Sequence, residues 1–332
     1  MATIKDVAKE ANVSIATVSR VINKSPKASK ASIESVTAAM KKLGYRPNAA
    51  ARALVSQTTQ TMGVLVGDVS DPFFGTMVKA IDIVAYQHGK HLLIDNGFHS
   101  EKKEREAIEL LLNHRCEALI IHSKGLSNEE LIEFSKEIPG MVIINRFIPE
   151  LADRCIALDN IKGSYMTTEF LIKSGHKHIG YICSNHDIED TEHRKQGYLQ
   201  ALKDYGLPAS ENYIEYGSPN EAGGEIAMTN LLTKNLPITA IATYNDYMAA
   251  GCLSVLDENG IKAPEEMSII GYDNTLISKY LHPKLTTVRY PIELMAEKAT
   301  LLALALANGE DAKAETSMYV PTLVKRASVL NK

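Results

Sequence analysis

Residues 3–23 read TIKDVAKEANVSIATVSRVIN, and the fold of the first part of the chain is decided there. Thr3 is an N-capping residue type, and Asp6 falls at the third helical position behind it. The helix opened this way carries Ile4, Val7, Ala8 and Ala11 on one face. Asn12 breaks the pattern because Asn tolerates the left-handed conformation, and Ser14 can cap a second short helix from Ile15 to about Val21. After Asn23-Lys24-Ser25-Pro26 a third helix is expected from about Ala31 to Leu43. Its apolar positions Ile33, Val36, Met40 and Leu43 recur at helical spacing, and Gly44 ends it. Three short helices, the first two joined by a tight turn, make a helix-turn-helix unit. In the second helix Val18 and Val21 face inward, while Ile15, Ala16, Ser19 and Arg20 face outward. The outward set offers small and apolar groups for thymine methyls and an Arg that can bridge guanine or phosphate. An ordinary three-helix cap with solvated basic residues has the same geometry, so charge has to decide between the two.

The chain has 332 residues, enough for two or three domains, and a formal net charge of −4. That charge is unevenly spread. Residues 1–56 hold ten Lys and Arg against Asp6, Glu10 and Glu34, a net of +7, which leaves −11 on the remainder. A small basic unit fused to a larger acidic one suits an anionic partner such as nucleic acid. The start, MATIKDVAKE, has no apolar stretch of secretory length, and the longest apolar stretch, Ala299–Ala307, is far short of the ~20 residues of a membrane span. Cys116, Cys155, Cys183 and Cys252 form no C-x-x-C pair and are expected as reduced, mostly buried thiols in a cytoplasmic protein.

Tyr45-Arg46-Pro47 halts the third helix, since a residue before Pro avoids the helical region. Asn48–Val55 has strong helix propensity but falls short of the roughly 12–15 residues at which an isolated helix becomes marginal. It is expected to fold only against a partner. Gln57-Thr58-Thr59-Gln60 then leads onward. The organisation expected is 1–47 as headpiece, 48–60 as hinge helix and linker, and 61–332 as core.

From Thr61 short β-rich runs alternate with helical stretches, which implies mainly parallel sheets. Strands are expected at Met62–Val66, His91–Asp95, Ala118–Ile121, Met141–Ile144, Ile156–Leu158, His178–Cys183, Tyr213–Tyr216, Ala240–Thr243 and Met267–Tyr272. Helices are expected at Phe74–His88, Glu101–Asn113, Gly163–Ser174, Thr191–Asp204, Ala222–Leu232, Asp246–Asn259 and Pro291–Ala307. GVLVGDVSDPFF and IGYICSNHDIED open two similar halves, which suggests two lobes with a ligand cleft between them. In open parallel sheets ligands sit beyond the carboxyl ends of strands. That rule selects Asp68, Asp71, Phe73 and Phe74, then Asn145 and Arg146, then Arg194, Tyr244, Asn245 and Asp273. Asp, Asn and Arg can bond adjacent sugar hydroxyls while an aromatic covers the apolar ring face. Each also has a plainer role: Asp246 as the cap of the helix it opens, Asp273-Asn274 as a turn, Asp71-Pro72 as a turn opener.

IKDVAKEANVSIATVSRVIN followed by GYRPNAAARAL resembles the headpiece of the lactose/galactose repressor family of bacterial transcriptional regulators, and the core resembles periplasmic sugar-binding proteins. The resemblance covers nearly the whole chain. It implies an all-α helix-turn-helix headpiece on an α/β two-lobed core, and a homodimer that binds double-stranded operator DNA. It implies that Ile15, Ala16 and Arg20 read bases, with Thr17, Ser19 and Asn23 on base edges or phosphates. Thr3, Ile4, Ser14, Tyr45, Asn48 and Ala51 join the implied DNA-facing set, and Leu54 matches the leucine that wedges into the minor groove. Arg194, Asn245 and Asp273 match effector-contacting positions, as do Asn145 and Asp71. GDVSDPFFG, CSNH and LTTVRYPI are most similar to galactose-responsive members, which makes D-galactose the implied inducer; another sugar or a purine-type corepressor is the alternative. Where several relatives stack an aromatic on the effector, this chain has Gly217-Ser218-Pro219-Asn220, leaving Pro219, Phe73, Phe74 or Tyr244 for that part.

No G-x-S-x-G, phosphate-binding loop or dinucleotide-binding glycine triplet is present, so no catalytic residue or cofactor is expected. His88 and His91, and His176 and His178, lack carboxylates at zinc spacing, and His186 and His193 flank an acid-rich loop, so no metal is expected either. An enzyme would not need the basic headpiece, and a transport binding protein would need an export signal.

Overall fold

The computed structural model describes residues 2–23, 25–46 and 60–332. They fall into two units, one within Met1–Thr59 and one spanning Gln60–Lys332. In the first, α1 (Ile4–Glu10), α2 (Ile15–Ile22) and α3 (Lys30–Leu43) enclose Val7, Ala8, Val18, Val36 and Ala39. Thr3 and Asp6 form a reciprocal capping box at α1. Asn12 takes a φ of 51° in the turn, and Gly44 takes 61° at the end of α3. The third helix departs from expectation in one respect. Ile33 is 44% exposed and Ala39 is buried instead, because the stripe facing α1 and α2 runs through Val36, Ala39, Met40 and Leu43.

The second unit contains a six-stranded and a four-stranded sheet. Its first lobe is built from β1 (Thr61–Val66), α4 (Pro72–Gln87), β2 (His91–Asn96), α5 (Glu101–Asn113), β3 (Ala118–Ile121), α6 (Asn128–Glu137), β4 (Gly140–Ile144) and β5 (Cys155–Leu158). The second lobe adds α7 (Asn160–Lys173), β6 (Ile179–Ser184), α8 (Glu189–Asp204), β7 (Ile214–Gly217), α9 (Glu221–Thr233), β8 (Ala240–Thr243), α10 (Asp246–Glu258), β9 (Ser268–Ile270) and β10 (Thr287–Arg289). Pairing is parallel throughout both sheets. Strand alternation sends Met62, Val64 and Val66 to one face and Leu65 to the other, so each sheet needs helices on both sides.

The lobes are not two consecutive halves of the chain. Helix α11 (Ile292–Ala307) returns to the first lobe, burying Met295, Ala296, Ala299 and Ala303 in the core that holds Met62 and Val64. Strand β11 (Met318–Tyr319) then extends the first sheet beside β5, and β12 (Thr322–Val324) pairs antiparallel with β10. The chain thus passes between lobes near residues 159, 291 and 320. The two-residue β11 and three-residue β12 are too short for alternation to reveal them. Helix α6, also absent from the expected elements, starts with a capping box between Ser127 and Glu130. Among the described residues no helix is long and apolar enough to cross a membrane.

Candidate functional site

In the first unit the exposed face of α2 is the candidate surface. Ser14 Oγ accepts the Thr17 backbone N–H at 3.1 Å, which starts the helix where Ile15 and Ala16 become solvent-facing. Ile15 is 45% exposed although apolar, and Arg20 is exposed one turn further on. Ser19 accepts from Asn23 Nδ2 at 3.4 Å, and the Ser14 and Thr17 hydroxyls are bonded to each other at 2.9 Å. These small polar groups are held in place while apolar and cationic tips remain free to meet a partner. Thr3 is committed to its capping box, and Ile4 and Tyr45 pack against the helical core. Asn48, Ala51 and Leu54 lie outside the described residues.

In the second unit a cleft of about 650 Å³ opens beyond the strand ends of both lobes. Of the residues selected from sequence, Asp71, Phe73, Phe74, Asn145, Arg194, Tyr244, Asn245 and Asp273 line it, and Asp68 does too. Arg146 does not. Its guanidinium turns away to the carbonyls of Ser123 and Leu126 and to Asn128 Oδ1, fixing the loop before α6, so it is corrected here from an effector contact to a loop tether. Asp71 is the N-cap of α4, accepting from Phe73 N at 2.8 Å, and burial pushes its carboxyl up. Asn245, not Asp246, caps α10, accepting from Met248 N at 2.8 Å while donating to Pro219 O at 2.9 Å. Asp246 is wholly buried, accepts from Thr275 N, Thr275 Oγ1 and Thr287 Oγ1, and is pushed up to about 8 by that burial.

Arg194 is the centre of the second-lobe wall. Its side chain lies between the rings of Tyr244 and Tyr272, 4.5 and 3.8 Å from their centroids. Nε donates to Asn160 Oδ1 at 2.9 Å, Nη1 to Tyr244 O at 2.6 Å and Nη2 to Asp273 Oδ1 at 3.4 Å. The guanidinium fork is aimed by these partners and has N–H groups to spare for a ligand. Strand β9 ends at Ile270, short of the expected Tyr272, and Asp273 beyond it takes a φ of 97° while still bridging to Arg289. Burial raises its carboxyl to about 6, against the opposing pull of Arg194. Tyr244 is thereby occupied under Arg194 and Phe74 is buried against His122, so Phe73 is the aromatic of the sequence-derived set that stays partly open to the cleft.

Several lining residues were not selected from sequence: Phe98, Tyr247, His99, His122, His186 and Asp190. The three imidazoles form a chain, with ring centroids 5.8 Å apart for His99–His122 and 5.5 Å for His99–His186. Burial lowers all three, which keeps them neutral. Among the described residues no group of three or more His, Cys, Asp or Glu is placed to hold a metal ion. Neutral imidazoles, carboxylates, amides and one arginine make a surface for a neutral, hydroxyl-rich ligand.

Residues 3–48 match the family model for bacterial regulatory proteins, lacI family, and residues 168–329 match that for a periplasmic binding protein-like domain. The chain is 56% identical over 329 residues to the HTH-type transcriptional regulator GalR of Escherichia coli K12, covering 99% of this chain and 96% of that protein. It is 33% identical to the HTH-type transcriptional repressor CytR of the same strain, covering 98% and 96% of the two chains. Among solved structures, the lac repressor dimer bound to operator and an anti-inducer superposes with a TM-score of 0.85 at 25% identity, covering 99% of each chain.

Proposed function

The chain belongs to the lacI family of bacterial regulatory proteins and is a DNA-binding, sugar-responsive repressor rather than an enzyme, and from this we propose that its inducer is D-galactose and that it works as a homodimer. The observation that carries the sugar reading is the cleft itself. The segments that follow strand ends in both lobes bring Asp273, Asn245 and Asp71, with Arg194 from the start of α8, around one space that Phe73 also borders. Such a site bonds vicinal hydroxyls from two sides and favours the arrangement in which both lobes reach the ligand.

In this reading residues 1–47 form the headpiece, 48–60 the connecting segment and 61–332 the sensing and dimerising core. Without sugar, the dimer holds two headpieces at operator half-sites, with Ile15, Ala16 and Arg20 on base edges. Sugar draws the lobes together, the first lobes shift at the dimer interface, and the connecting segments no longer hold the headpieces in register. The coupling between sugar and operator is expected at about 1–3 kcal/mol. Calorimetric titration with galactose, glucose and a purine base, with operator release followed in parallel, tests the proposal. Galactose alone is expected to bind and release operator. A purine that binds and strengthens the operator complex would replace this reading with that of a corepressor-type regulator.

A further inference from the structure

An ion pair spans the cleft between the lobes. Lys124 follows β3 of the first lobe, and its side chain is only 1% exposed. Asp190 stands in the first turn of α8 in the second lobe and is 5% exposed. Nζ of Lys124 donates to Asp190 Oδ1 at 2.8 Å and to the backbone carbonyl of Asn145. The other carboxylate oxygen accepts from Asn145 Nδ2 at 2.8 Å, and Oδ1 also accepts from Asn160 Nδ2 at 3.2 Å. Tyr290 donates to Asn145 Oδ1, so that amide is held from both sides. Asn160 and Tyr290 flank two of the passages between lobes, and Asn160 in turn fixes Nε of Arg194.

A charge removed from water is tolerated only with a partner at close range. Here the partners belong to different lobes, so the pair exists only while the lobes are together; as they part, each charge regains its hydration. We propose that Lys124 and Asp190 form a latch that biases the core toward closure before any sugar arrives. The latch also keeps Asn145, Asn160 and Arg194 aligned, so sugar meets a cleft already assembled and needs to supply only the rest of the bias.

Removing Lys124 leaves Asp190 buried without its ammonium, and removing Asp190 leaves Lys124 with only the half-exposed Glu189 of the same helix at 3.7 Å, whereas removing both leaves neither buried charge. Lys124→Met and Asp190→Asn are therefore expected each to open the core, and Lys124→Met/Asp190→Asn to restore much of the closure. Small-angle X-ray scattering of the full-length protein without sugar reads this directly: both single variants have a larger radius of gyration than the parent, and the double variant returns toward it. This arm does not depend on which sugar is the inducer. The second arm rests on the galactose reading: affinity for galactose falls about tenfold or more in each single variant and recovers in the double. A parent as expanded as the single variants, or a double variant as expanded as either single, overturns the latch. Loss of galactose affinity in Asp190→Asn with no recovery in the double would assign Asp190 a direct ligand contact and also overturn it. Absence of galactose binding by the parent, with the scattering pattern as expected, would fail the inducer assignment and leave the latch standing.

Discussion

The headpiece and the core solve the same problem, presenting chemistry to a partner, with opposite economies of sequence. In the headpiece one helix of eight residues, Ile15–Ile22, carries both the inward Val18 and the outward Ile15, Ala16 and Arg20. In the core the lining residues come from the ends of strands on both lobes, and the segments holding Asp71 and Asp273 are some two hundred residues apart in sequence. A recognition face built on one helix is as stable as that helix's packing. A cleft built from strand ends is as stable as two sheets and the passages joining them. The two regions should therefore fail independently and by different amounts.

The largest separation is expected at Asp273. Asp273→Ala removes the carboxylate that faces both the cleft and the Arg194 guanidinium at 3.4 Å, so the ligand loses an acceptor and a well-aimed arginine together. Sugar titration should show binding lost, while operator binding without sugar stays at the parent level. A variant still released by sugar would remove Asp273 from the site. The counterpart in the headpiece is Val18, fully buried in a cluster that holds, among the described residues, four other buried side chains. Val18→Ala is expected to cost about 2–3 kcal/mol and, in so small a unit, to abolish operator binding with sugar affinity unchanged. Calorimetric sugar binding that fell in step with operator binding would break the claim of independence.

The comparison also explains what the sequence disclosed. In the headpiece every determinant is local: caps at Thr3 and Ser14, a left-handed Asn12, a helical stripe ending at Gly44. The one misjudged position, Ile33, lies where helical spacing permits two neighbouring stripes and only the packing of α1 and α2 chooses between them. In the core, strand ends were legible because alternation of β-rich and helical runs is a local signal. The same strand-end rule would have reached His122, which directly follows β3 at Ile121, and Asp190 was visible within an acid-rich loop. What no local signal could show is the pairing of Lys124 with Asp190, since it depends on how two lobes meet. Arg146 erred for the same reason: position beside a strand end says that a side chain is near the cleft, while its direction is set by carbonyls from another loop. The return of α11 to the first lobe is likewise a tertiary fact, carried by small residues such as Ala296, Ala299 and Ala303 that permit close packing on β3 and β4.

A smaller effect sharpens the headpiece side. Arg20 is exposed at the end of α2, so Arg20→Ala costs the fold little. Its loss is expected to remove about 1–3 kcal/mol of discrimination between operator variants through a guanine contact, with sugar affinity untouched. Binding measured against a set of single-base operator changes reads this. Equal weakening toward every sequence would assign Arg20 to phosphate instead.

The smallest expected effect is one of pH, and it separates the two regions without mutation. Burial sets the Asp273 carboxyl at about 6, above its ordinary value, so the folded core holds this proton more tightly than the unfolded chain does. The stability it contributes is accordingly present below the unfolded value near 3.8 and lost as pH rises through about 6. Sugar binding runs the other way. The ionised carboxylate is the form that pairs with Arg194 and accepts hydroxyls, so galactose affinity should fall as pH drops below about 6, by up to about tenfold per unit. Asp71, also raised by burial, titrates in the same direction, whereas burial keeps His99, His122 and His186 from taking up charge early. Residues 1–59 contain no histidine, and the shifted acid there, Asp6, is held below its ordinary value by its bonds to Thr3. Operator binding without sugar should thus stay level between about pH 5 and 7, while galactose affinity is nearly flat from pH 7 to about 6 and declines below it. Asp273→Asn, titrated alongside, should bind galactose more weakly but with a flatter profile. If that variant kept the parent's slope, the proton would belong to another group, with Asp71 the next to substitute.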